Sequence, residues 1–132
     1  MKLGEPLHLS STTKAWIQRE AERLLQETSG VVAVVVATVD GFDLGSAMKQ
    51  GDPERVAAMA SSIFAISAVV SQEAHLGRSR SVTIDTEEGF AIVHSVYRPG
   101  ADLVISVIAG QDAILGQVAY QVSQFARDLA AA

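Results

Sequence analysis

The side chains best suited to chemistry are few and scattered along the chain. His8, His75 and His94 fall on a tail, at the end of a predicted helix and on a predicted strand, and no HxxxH or HExxH spacing puts two imidazoles on one face for a metal. There is no cysteine, which excludes thiolate ligands, thiol nucleophiles and disulfides. No GxSxG elbow or GxxxxGK[ST] phosphate loop occurs, and Gly41, Gly45 and Gly51 do not stand between a strand and a helix start at dinucleotide-binding spacing. Glu87 and Glu88 are adjacent acids before a glycine, an arrangement that points carboxylates apart in a solvated turn. These patterns predict no catalytic residue, no metal and no cofactor, so an enzyme is the last expectation. Two weaker signals are left. Arg78, Arg80 and Arg98 stand at segment ends that could meet at one end of a sheet and suit an acidic partner. His94 shares a predicted strand face with Phe90, Ile92 and Val96, the setting of a hydrogen-bonded core or interface histidine.

The elements that position these residues belong to one domain. The 132 residues are 48% hydrophobic and 19% charged, enough to enclose a single core and far from the composition of disordered chains. The expectation is one domain over 1–132, with 1–11 a flexible lead. Ten Lys and Arg against fifteen Asp and Glu give a net charge of −5, the wrong sign for neutralising nucleic-acid phosphates or an anionic membrane. The N-terminus has no apolar stretch of the kind a secretory signal needs, and the charge-free run Val56–Gln72 contains four serines and falls short of a membrane span. A cytoplasmic protein without membrane insertion is therefore expected.

Ser10 to Thr13 offer N-caps for a first helix over 12–28, with Ile17, Ala21, Leu24, Leu25 and Thr28 at helical spacing and Gln18, Arg19, Glu22 and Gln26 on a solvated face. Val31–Val39 holds six valines in nine positions, the pattern of a central strand covered on both faces. Asp40-Gly41 signals a hairpin into a half-buried second strand. Asp52-Pro53 caps and opens a second helix that runs to about His75. Strands follow over 81–86, 90–97 and 103–109, and Asp112 is expected to cap a last helix with a stripe of Leu115, Val118, Val122, Phe125, Ala126 and Leu129. Tyr120, on the glutamine-rich side of that helix, is expected to be exposed. The order α-β-β-α-β-β-β-α with short connections predicts an α+β fold: a five-stranded antiparallel sheet with helices on both faces, the two continuous strands adjacent in its middle.

The second helix is the unusual element. Val56–Gln72 spans 17 residues without a charge, where this composition would place about three. A helix so depleted of charge is expected to be covered on more than one side. Val56, Met59, Ile63, Ile66 and Val70 form a bulky stripe, expected on the sheet, while Ala57, Ser61, Phe64, Ala65, Ala68 and Ser71 form a smooth opposite face. Small residues permit close helix approach and Phe64 would anchor it, so this face is expected to meet its own copy in a symmetric homodimer, with Phe64 and Ala65 near the two-fold axis. The strand after it, through Val82 and Ile84, could extend the sheet across the same axis.

Gly30-Val31-Val32-Ala33-Val34-Val35-Val36, then Asp40-Gly41-Phe42-Asp43-Leu44, the alanine-rich second helix and Ile114-Leu115-Gly116-Gln117-Val118 together resemble the roadblock / dynein light chain family from about Ala15 to Leu129. The resemblance implies a roadblock-like sandwich of the profilin and longin kind. It also implies a non-enzymatic homodimer whose second helices pack together and whose sheets join through the next strand. Bacterial members of that family commonly bind Ras-like small GTPases, some as activators, while eukaryotic members serve dynein or lysosomal scaffolds. The resemblance thus implies an adaptor that binds and regulates a small GTPase, with a scaffold that makes no GTPase contact as the alternative. It assigns no particular arginine a role in hydrolysis.

Overall fold

The valine-rich segment forms strand β1 (Val31–Thr38), and a computed structural model describing residues 9–132 shows what covers it. Thr38 accepts from Gly41 N–H through its carbonyl and from Phe42 N–H through its hydroxyl, closing the turn into β2 (Asp43–Met48). Helix α1 (Ser11–Glu27) precedes them, and α2 (Pro53–Glu73), β3 (Ser81–Thr86), β4 (Gly89–Val96), β5 (Leu103–Gly110) and α3 (Leu115–Ala131) follow. All neighbouring strands are antiparallel, in the order β2-β1-β5-β4-β3. The two continuous strands, β1 and β5, lie side by side, with Val34 opposite Val107 and Val36 opposite Ile105.

Alternation through the sheet builds two cores. Val34, Val36, Ile105, Val107, Ile92 and Phe90 face α1 and α3, where they meet Ile17, Ala21, Leu24, Val122, Phe125 and Leu129. Trp16 closes the margin of this layer edge-on to Phe125, with ring centroids 5.7 Å apart. Val35, Ala37, Val93 and Val104 face the other way, toward α2. Helices α1 and α3 thus share one side of the sheet and α2 covers the other.

Of the lead expected over 1–11, residues 1–8 lie outside the described residues, His8 among them. Leu9 is buried in the core, Ser10 caps α1 by accepting from Thr13 N–H, and Ser11 opens the helix. Asp112 does not cap α3. The turn closed by Ala113 N–H on the Gly110 carbonyl places Asp112 ahead of the helix, whose N-cap is Ile114 with no side-chain bond. Leu115, expected in the buried stripe, is exposed for the same reason. In β2 the buried positions are Gly45 and Ala47, because α1 crosses here: a Cβ at Gly45 would stand 2.8 Å from Ile17 Cγ2.

Candidate functional site

Helix α2 starts where its sequence says it should. Asp52 accepts from Glu54 N–H, Pro53 occupies the first turn, and Glu54 adds an acid where the helix dipole favours one. It ends in a Schellman motif: Leu76 N–H reaches the Ser71 carbonyl, His75 N–H reaches that of Gln72, and His75 itself takes φ +58°.

The side that α2 turns to the sheet is rotated from the expected one: of the bulky stripe only Val56 and Ile63 reach it. Ala57 and Ala60 are sealed against Val35, Ala37, Val93 and Val104, and Val56 joins them. Ser61 donates to the Val39 carbonyl, and Phe64 lies half-buried with its ring centroid 6.4 Å from that of Tyr97. Four bulky residues point away instead: Met59, Ile66, Val69 and Val70 are 50, 64, 59 and 57% exposed. Of the residues expected at a self-contact, Ala57 has no surface left to contribute, while Ser61 and Phe64 are engaged with the protomer's own sheet. Ala65 and Ala68 are exposed beside the bulky four, and Ser71 is half-buried at the margin. The physical reason is volume. Val35, Val93 and Val104 fill the sheet surface, so the helix approaches it through alanine and serine and is left with its large side chains outside.

This outward face continues onto β3. Ile63, Ile66 and Val70 of α2, Val82 and Ile84 of β3 and Ser79 between them line an apolar groove of about 460 Å³. Val82 packs against Ala60 and Val93, whereas Ile84 is exposed. The two edges of the sheet differ. At the β2 edge the Gln18 amide, expected on a solvated face, occupies the place of a neighbouring strand: Nε2 donates to the Ser46 carbonyl at 2.8 Å and Oε1 accepts from Ser46 N–H at 3.0 Å. Among the described residues nothing comparable blocks the outer edge of β3, which pairs with β4 alone. An open edge is a template for another strand.

Among the described residues α2 is also the one helix long and apolar enough, by length and composition, to cross a bilayer, which corrects the expectation drawn from its four serines. One side of it nevertheless lies on the sheet. The chemistry-bearing side chains do not gather in a catalytic arrangement: no three His, Asp or Glu among the described residues could hold a metal ion together. Arg23 is pushed up from its ordinary value by its hydrogen bonds to Glu20, against the opposing effect of burial and with further help from Glu27, but all three belong to the surface of α1. Arg78 and Arg80 do come together, in a cavity with His94 and with Arg127 of α3, which sequence reasoning missed. Arg98 turns away and donates to the Ala132 backbone oxygen at 2.7 Å.

The Roadblock/LC7 domain family model matches residues 17–109, from the first buried turn of α1 to the end of β5. The chain belongs to the Roadblock/LC7 family. Among solved structures, the gliding protein MglB of Thermus thermophilus is similar with a TM-score of 0.82 at 18% identity, over 96% of this chain and 96% of that one. An MglB in a tetrameric arrangement gives 0.82 at 20% identity over 96% and 95%. A Roadblock/LC7 domain from Streptomyces avermitilis gives 0.76 at 18% over 85% and 92%. At these identities the likeness establishes the fold. No curated protein matches the sequence significantly.

Proposed function

We propose that this Roadblock/LC7 protein is a non-enzymatic, cytoplasmic homodimeric adaptor that binds and regulates a Ras-like small GTPase. One observation carries the self-association: Met59, Ile66, Val69 and Val70 stand exposed on one side of α2, beside an apolar groove and the open edge of β3. Two copies related by a two-fold axis would cover both features at once, helix on helix and strand on strand. The contact proposed here uses the bulky outward face with Ala65, Ala68, Ser71, Val82 and Ile84, and leaves Ala57, Ser61 and Phe64 to the protomer. The neighbouring MglB described in a tetrameric arrangement supports self-association in this fold.

The GTPase reading rests on family membership and on the family traits implied by the sequence resemblance. Its test is a pull-down with the tagged full chain from source-cell lysate, run in parallel with a GTP analogue and with GDP, followed by hydrolysis and exchange rates on any GTPase retained. Retention in one nucleotide state with a changed rate supports regulation. Retention of other proteins regardless of nucleotide, with no GTPase among them, replaces this reading with that of a scaffold.

A further inference from the structure

At the end of the sheet beside α3, a cavity of about 370 Å³ is lined by Arg78, Arg80, His94, Tyr97, Ser123 and Arg127. Three of the chain's ten Lys and Arg therefore share one cavity in a protein whose net charge is −5. No acidic residue lines it, and among the described residues none of the three arginines forms an ion pair. Arginines lining one cavity without an acid leave a positive charge there that an anion would balance. Two of the surrounding groups are fixed in place. Arg78 lies 4.1 Å from the centroid of the Tyr97 ring, whose hydroxyl donates to the Ser79 carbonyl. His94 Nδ1 is 2.9 Å from the Ser95 carbonyl, so it donates there and leaves Nε2 as the ring nitrogen free for a ligand.

We infer that this cavity binds the phosphate group of a phosphorylated ligand. A phosphate monoester carries a charge of about −1.5 to −2 and three acceptor oxygens, against one charge and two oxygens for a carboxylate. Arg80 and Arg127, with Arg78 held on the Tyr97 ring beside them, suit the larger anion in charge and in donors. Nε2 of His94, left free by the Nδ1 bond to the Ser95 carbonyl, adds a further polar atom for the ligand. The volume lies in the range of small-ligand sites and also admits a phosphorylated side chain. This inference is independent of the self-association and GTPase readings, since the cavity is formed by one protomer.

The experiment is an amide NMR titration of the full chain with inorganic pyrophosphate and, separately, with a short phosphoserine peptide. Saturable shifts confined to 78–81, 94–97 and 123–127 are expected. Arg80→Gln and Arg127→Gln, both exposed and free of partners within the described fold, should each weaken binding about tenfold or more, the loss of one charge-assisted contact. Arg19→Gln on α1 should leave it unchanged. Tighter binding of pyrophosphate assigns the site to a free phosphorylated molecule, and tighter binding of the peptide assigns it to a modified protein. Shifts that do not saturate, or Arg80→Gln and Arg127→Gln that bind as tightly as the native chain, overturn the inference.

Discussion

Ile66→Asp separates a monomer with an apolar helix from a dimer built on it. Ile66 is the most exposed of the four bulky α2 residues, at 64%. Full burial of such a side chain contributes about 1.5–3 kcal/mol, so covering the half to two-thirds still exposed adds roughly 1–1.5 kcal/mol each. In a two-fold pair every residue occurs twice, and Met59, Ile66, Val69 and Val70 together supply about 10 kcal/mol, comparable to the roughly 4–15 kcal/mol cost of association. Replacing Ile66 by aspartate removes about 3 kcal/mol of this across two copies and adds two carboxylates to a dry contact. The loss of at least about 4 kcal/mol raises the dissociation constant about a thousandfold. Light scattering on a sizing column at about 10 μM should then give twice 13.9 kDa for the native chain and 13.9 kDa for Ile66→Asp, with matching circular dichroism. Ile66→Asp eluting at the doubled mass would refute the reasoning, as would a native chain that is monomeric.

Ala57→Leu tests the other side of the helix: it overpacks the contact with Val35 and Ala37 and should cost about 1–3 kcal/mol in chemical denaturation. Gly30→Ala combines φ +85° with a Cβ 2.5 Å from Ala113 Cα, and should destabilise by about 2–4 kcal/mol in the same assay. Gln18→Ala removes both bonds to Ser46, and about 1–2 kcal/mol of stability with faster amide exchange at Ser46 is expected. His75→Gly relieves a left-handed residue at the end of α2 and should stabilise by about 1 kcal/mol, a melting temperature higher by about 3 °C.

The sheet was legible because strand position shows in the residues themselves. The unbroken apolar runs of β1 and β5 require cover on both faces and therefore adjacency in the middle, while the polar Ser81, Thr83 and Asp85 of β3 suit an edge. Helix stripes were legible where one face is clearly larger and more apolar, as in α1 and α3. Side chains whose role is decided by a distant segment were not. Gln18 has the sequence context of a solvated glutamine, and the Ser46 backbone that captures it lies 28 residues away. Arg127 stands on a helix face that only the fold brings to Arg78 and Arg80. Asp112 has the right residue type for a cap, but the turn at Gly110–Ala113 closes two residues too early for it to serve.

The rotation of α2 away from the expected face follows from a difference that periodicity cannot resolve. Both sides of the helix are apolar, so a hydrophobic stripe does not say which one faces inward, and size is the only guide left: large residues in, small residues out. Packing against a sheet selects differently. The strand surface beneath α2 already carries Val35, Val93 and Val104, and a row of isoleucine and methionine above them would hold the helix off and leave gaps. Ala57, Ala60 and Ser61 let the backbone approach until Ser61 bonds to the Val39 carbonyl, which ties the helix to the end of β1. Once the small residues are inside, the charge-free character of 56–72 has no explanation within the protomer, because Met59, Ile66, Val69 and Val70 gain nothing from solvent there. The absence of charge that first suggested a second covered side thus coincides in the structure with the exposed bulky face and the groove lined by Val82 and Ile84, and the proposed self-contact is drawn there.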